Sequence, residues 1–212
     1  MGATGLTGGL LLDRLLDDER YDLIKVFSRR ATGLKHKKIK EYFGDIIDLE
    51  SFEKEFHADE VFCCIGTTAS KTSDKEIYRS IDFGIPVKAA KLCKKNGVPT
   101  FLVLSSIGAN PKSKVFYNRT KGEMEEKVLK QEVKNTYILR PSMILGNRNE
   151  KRLGENIGKF LMQSSQFLLI GKLKKYKAIE ADKIAKTMIY LANIKPSGQI
   201  FESDQIEELA RN

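Results

Sequence analysis

Three glycines, Gly2, Gly5 and Gly8, open the chain in the run GATGLTGG, and Leu10, Leu11, Leu12, Leu15 and Leu16 follow at helical spacing. This spacing suits a strand–turn–helix unit that binds a dinucleotide. The first glycine makes the tight turn and the second lets the backbone approach a pyrophosphate. The third lets the helix pack close to the sheet, and the phosphate then sits on the helix N-terminus. The same fingerprint requires a hydrophobic strand ahead of the first glycine, where only Met1 stands. That strand is expected upstream of residue 1.

The rest of the chain alternates in type. Strands are expected at Leu23–Ser28, Tyr42–Ile47, Glu60–Ile65, Thr100–Leu104 and Tyr137–Leu139. Helices are expected at Leu49–Phe56, at Ser73–Lys95 with an interruption near Pro86, at Tyr117–Lys130, at Glu155–Met162 and at Ala181–Ala192. EVFCCI and TFLVL are continuous apolar runs, as in strands buried on both faces of a parallel sheet. The expected fold class is therefore α/β: a Rossmann-type, doubly wound parallel sheet with helices on both faces. A length of 212 residues fits one domain. Residues 147–180 pattern less clearly and are expected to form a small substrate-side region.

Composition narrows the class. No apolar run reaches the ~20 residues that span a bilayer, and no signal peptide precedes the first motif, so a cytoplasmic protein is expected. The net charge is +9, but Lys and Arg are interleaved with Asp and Glu along the chain. This favours a solvated surface and an anionic small ligand over nucleic acid. Cys63, Cys64 and Cys93 lack metal spacing and read as reduced core residues, and His36 and His57 lie in unrelated segments, so no metal site is expected.

Three further constellations carry chemistry. The strand expected at Leu23–Ser28 ends in Ser28 and runs on into Arg29 and Arg30, where an acidic residue would hold the 2′-hydroxyl of NAD. A guanidinium there suits a 2′-phosphate instead, so NADPH is expected over NADH. Tyr117 and Lys121 stand one helical turn apart after the strand-ending Ser105 and Ser106. A lysine cation near a phenol favours the phenolate, so Tyr117 could exchange a proton with a substrate oxygen that Ser106 holds. The spacing is cheap in a lysine-rich chain: Tyr21 and Lys25 share it but run into a strand. The turn Gly66, Thr67, Thr68 follows EVFCCI and falls where ligands bind in open α/β sheets.

Taken in order, GATGLTGG, VFSRR, FCCIGTT, LVLSSIGAN, YNRTKGEMEEKV and LRPSMILGNR resemble the atypical branch of the short-chain dehydrogenase/reductase superfamily. The likeness is greater still to its Tat-interacting-protein-like oxidoreductases. The resemblance implies that Gly2, Thr4, Gly5, Leu6, Thr7 and Gly8 line a diphosphate. It implies that Arg29 meets the ribose phosphate and that Asp45 and Ile46 lie near adenine. Ser106, Tyr117 and Lys121 match the catalytic set, Ser106 being preferred to Ser105 because it lies one step further past the strand. Lys121 would also hold the ribose, and Arg140, Pro141, Ser142 and Met143 would pass beside the nicotinamide.

The expected function is NADP(H)-dependent reduction of an unidentified carbonyl or enone, with Tyr117 as proton donor. The alternative is an NADPH-binding regulatory or interaction protein without turnover. A protein partner or a homo-oligomer is compatible with either.

Overall fold

The computed structural model describes residues 1–68, 71–146 and 169–211. Helix α1 (Leu6–Asp17) is followed by strands β1 (Ile24–Ser28) and β2 (Ile39–Phe43), a 3-10 segment (Ile46–Phe52) and β3 (Glu60–Cys63). Next come α2 (Lys75–Arg79), a π turn (Ser80–Gly84), α3 (Ile85–Lys95), β4 (Thr100–Leu104), α4 (Phe116–Leu129) and β5 (Asn135–Arg140). A short pair, β6 (Ile144–Leu145) and β7 (Ile179–Glu180), precedes α5 (Ala181–Ile194), β8 (Ile200–Glu202) and α6 (Ser203–Leu209). The helix expected over 155–162 lies outside the described residues.

The strand pairings among the described residues are all parallel, and they fall into three sheets, the smallest being the β6–β7 pair. β1 pairs with β2, and β3-β4-β5-β8 form a four-stranded sheet. Helices cover both faces. Leu102 and Leu104 of β4 join Leu11, Ile184 and Met188 on the side of α1 and α5. Phe101 and Val103 join Ala89, Leu92, Met124 and Val128 on the side of α3 and α4. The pleat sends alternate residues to opposite faces, so a strand clad on both sides must be apolar throughout, as TFLVL is.

Two expectations are corrected, and a third, the interruption near Pro86, is met. The second strand lies at Ile39–Phe43 and not at Tyr42–Ile47, because Gly44 ends it and the Asp45 carboxylate accepts from the Ile47 amide to start the 3-10 turn. The segment expected to be helical at Leu49–Phe56 is that 3-10 segment, shifted to Ile46–Phe52. The interruption near Pro86 is the π turn just before it. Pro86 has no N–H to give the carbonyl of Asp82, so the chain widens there and restarts as α3.

Candidate functional site

Site residues gather at the carboxyl ends of the strands. The glycine loop is tight. Gly5 donates its amide to the Gly2 carbonyl at 2.9 Å, and Gly2 holds φ +84°. A Cβ on Gly8 would lie 2.1 Å from the Gly2 carbonyl oxygen, and one on Gly2 would lie 2.8 Å from the Cys64 backbone. Glycine is therefore obligatory at both positions. Gly5 caps α1 with no side-chain partner, and the first turn carries no acid. The open amides and helix dipole are left to an external anion. Thr4 is exposed, Leu6 is half-buried under Gly146, and Thr7 is buried.

Arg29 and Asp45 are exposed at the carboxyl ends of β1 and β2, which Gly44 links by donating to the Ser28 carbonyl at 3.2 Å. Ile46 is half-buried beside them. The β3 turn lies over the Asp82–Lys121 pair. A Cβ on Gly66 would stand 3.4 Å from Asp82 Oδ1 and 3.7 Å from Lys121 Nζ. Thr67 donates its amide to Asp82 Oδ2 at 2.7 Å and shares a 2.9 Å hydrogen bond with Thr72, and Thr68 follows it, half-buried.

The centre of the site is a buried ion pair. Lys121 Nζ lies 2.8 Å from Asp82 Oδ1, and both side chains are almost wholly enclosed. Burial acts to lower the Lys121 pKa, but the Asp82 carboxylate and Tyr117 oppose it and the net shift is upward. Lys121 is thereby held as a cation. Tyr117 keeps 37% of its surface exposed and packs edge-on against Tyr78 at 6.3 Å between ring centroids. Burial, then the Asp82 charge, raises the Tyr78 phenol.

The two serines after β4 divide their roles. Ser105 Oγ donates to Glu125, which also accepts from Arg140 Nε at 2.9 Å. Ser106 Oγ is buried with no hydrogen-bond partner. A buried hydroxyl in that state carries a desolvation cost that a ligand oxygen would relieve. Ser106 was the serine preferred from position alone.

The last predicted segment is more constrained than its sequence suggests. The Arg140 guanidinium is engaged by Glu125 within the fold. Pro141 accepts from the Ile107 amide at 2.9 Å, Ser142 bonds the Lys177 carbonyl and Ser203, and Met143 is exposed. Sequence reasoning missed Asp82, Glu125 and Gly122. Glu125 carried a usable signal, four residues after Lys121 on one helical face; Asp82 carried none.

A family model described as NAD(P)H-binding matches residues 2–193. The chain is 29% identical over 197 residues to "Protein FMP52, mitochondrial" of Debaryomyces hansenii, covering 91% of this chain and 86% of the relative. Against the protein of the same name from Candida albicans it is 31% identical over 210 residues, covering 94% and 89%. Against "Protein HTATIP2" of Rattus norvegicus it is 31% identical over 159 residues, covering 72% and 65%. Among solved structures, the Bordetella bronchiseptica enzyme WbmH in complex with NAD+ superposes with a TM-score of 0.71 at 16% identity, covering 99% and 77%. The Lactococcus lactis oxidoreductase ylbE does so at 0.66 and 18%, covering 100% and 95%. The fold is Rossmann-like. The expectation of a cytoplasmic protein is overturned, since both fungal relatives are named mitochondrial. Compartment is not set by the lack of a spanning segment or of a secretory signal, on which that expectation rested.

Proposed function

The chain belongs to the NAD(P)H-binding family, and on that premise we propose that it is an NADPH-dependent oxidoreductase that reduces a carbonyl or enone oxygen held between Ser106 and Tyr117. The observation that carries this is the buried, unpartnered Ser106 hydroxyl on the same strand end as the Lys121–Asp82 pair. Lys121 Nζ also lies 3.5 Å from the Leu104 carbonyl, two residues before Ser106.

Bound NADPH would supply a hydride to the substrate carbon. The glycine loop and the α1 N-terminus fit its pyrophosphate, and the exposed Arg29 fits its 2′-phosphate. Ser106 donates a hydrogen bond to the substrate oxygen. Tyr117 gives that oxygen its proton as the negative charge develops and is reprotonated from solvent. Lys121, fixed as a cation, stabilises the phenolate left behind.

Tyr117→Phe is expected to abolish NADPH oxidation across a panel of aldehydes, ketones and quinones while NADPH binding, followed by cofactor fluorescence, is retained. Turnover undiminished in that variant would remove Tyr117 from the chemistry. The Asp82 carboxylate at 2.8 Å partly neutralises Lys121, which favours a second reading: NADPH binding that shifts a conformation, with no turnover. Silence of the native chain across the whole panel, with NADPH bound, would select it.

A further inference from the structure

Glu125 lies on α4 one helical turn after Lys121 and is 3% exposed. A carboxylate so deeply buried needs donors, and this one receives them from two strand ends. Ser105 Oγ donates to Oε1 from the end of β4. Arg140 donates from the end of β5, through Nε to Oε1 at 2.9 Å and through Nη2 to Oε2. One side chain of α4 therefore grips both inner strands of the four-stranded sheet at their carboxyl ends.

Arg140 alone would balance this charge, so the ion pair accounts for the burial of Glu125 but not for the bond from Ser105. That bond falls beside the site. Ser105 precedes Ser106, and the backbone on either side of Ser106 is tied to the end of β5. The Ser105 amide donates to the Leu139 carbonyl at 2.8 Å, and the Ile107 amide to the Pro141 carbonyl at 2.9 Å. Leu139 and Pro141 flank Arg140 in the chain. The Ser106 hydroxyl has no partner of its own, so its place is set by these neighbours.

On the helix side, Glu125 shares α4 with Tyr117 and Lys121, which lie about two turns and one turn back. The strand-end half and the helix half of the proposed site meet at this carboxylate. Arg140 is also faced on its outer side by Glu202 of β8 at 3.9 Å, and Lys175 holds Glu202 at 2.7 Å. Its guanidinium is committed to acids of the protein.

We infer that Glu125 is a positioning residue. By holding the ends of β4 and β5 against α4 it sets the spacing between the Ser106 hydroxyl and the Tyr117 phenol. Arg140 is its brace and not a cofactor contact. Hydrogen bonds to a carboxylate are shorter and stronger than neutral ones, which suits them to fixing such a spacing. Because Glu125 takes the Ser105 hydroxyl, Ser106 is left as the serine open to a ligand. The inference rests on the reading of Ser106 and Tyr117 as the groups that hold the substrate oxygen, and it names what keeps them in register.

Removing Glu125 would strand Arg140 in the interior and endanger the fold, so the test removes the hydroxyl instead. Ser105→Ala deletes one donor and leaves the Glu125–Arg140 pair in place. A misplacement of about 1 Å can cost on the order of a hundredfold in rate. The variant is expected to lose about that factor in kcat across the panel of aldehydes, ketones and quinones, with KM, NADPH affinity and melting temperature close to native. In crystal structures of the NADPH complexes, the distance from Ser106 Oγ to Tyr117 Oη should differ by about 1 Å between variant and native chain. A kcat equal to native would overturn the proposal, and Ser105 would then serve only the fold. An unchanged distance would overturn it as well. That distance is readable with or without turnover. Silence of the native chain across the panel would therefore sink the oxidoreductase reading, while the crystal structures still decide on Glu125.

Discussion

Asp82 is the most consequential residue that no local pattern announces. It sits in the middle of a helical stretch between Ile81 and Phe83, as any surface acid might, yet it is fully buried. Its partner explains it: Lys121 arrives from a helix 39 residues later and brings a charge that makes the site tolerable. Removing one member of a buried pair strands the other, at a cost of about 3–5 kcal/mol. Asp82→Asn should lose about that much unfolding free energy in urea, and adding Lys121→Met should recover most of it.

The pH dependence should also change sign. In the native chain the Lys121 pKa is raised, so its contribution is complete below the unfolded value near ~10.4 and is lost only as pH climbs through the higher folded value. With Asp82 neutral, its upward influence is gone and burial, the largest influence, pulls that pKa down. The variant's stability should then rise with pH in the range below the unfolded value, where the native chain is flat. Parallel profiles for the two chains would show that Asp82 does not set the state of Lys121.

At the scale of elements, what positions the site is the approach of α4 to the loop after β4. A Cβ on Gly122 would fall 2.2 Å from the Pro111 nitrogen and 2.3 Å from the Asn110 carbonyl carbon, both backbone atoms that cannot swing aside. Gly122→Ala should therefore push α4 outward, cost about 1–3 kcal/mol, and lower turnover by moving Tyr117 and Lys121 together. Gly84→Ala is the matched comparison. Its new Cβ would find nothing nearer than 3.9 Å in a helical backbone, so it should gain about 0.4–1 kcal/mol through the unfolded chain. Urea denaturation of the two variants tests both, and equal effects would mean that contact at Gly122 does not hold the helix.

Elements with strong periodicity were legible for a physical reason. β4 begins and ends where its apolar run does, and α1 and α5 show their buried stripes. β2 was misplaced because an edge strand reading IKEYF is mixed in polarity and carries little burial signal. β8 went unread because three residues are too few to show a period. That Tyr117 and Lys121 share one helix was readable because their spacing is local. Asp82, Glu125 and Gly122 matter through contacts that only the folded chain makes.

At the scale of the whole molecule, the proposed dinucleotide site draws on both the β1–β2 pair and the four-stranded sheet. Arg29 stands on the β1–β2 block, while the Gly66 turn and Lys121 belong to the four-stranded block, with the glycine loop between them. A ligand that touches all three ties the halves together and stabilises only the folded chain. At a hundred times its dissociation constant it adds about 2.7 kcal/mol. At about 2–4 °C per kcal/mol for a chain of this size, melting should rise by roughly 5–10 °C. NADPH should produce that rise at a lower concentration than NADH, because only NADPH carries the phosphate that Arg29 can hold bidentately. Arg29→Ala should bring the two cofactors together by weakening NADPH and leaving NADH unchanged. Equal shifts by both cofactors on the native chain would take the 2′-phosphate away from Arg29 and leave the glycine loop intact as their common site. No shift from either, on a chain that melts cooperatively, would mean that the loop does not hold a pyrophosphate.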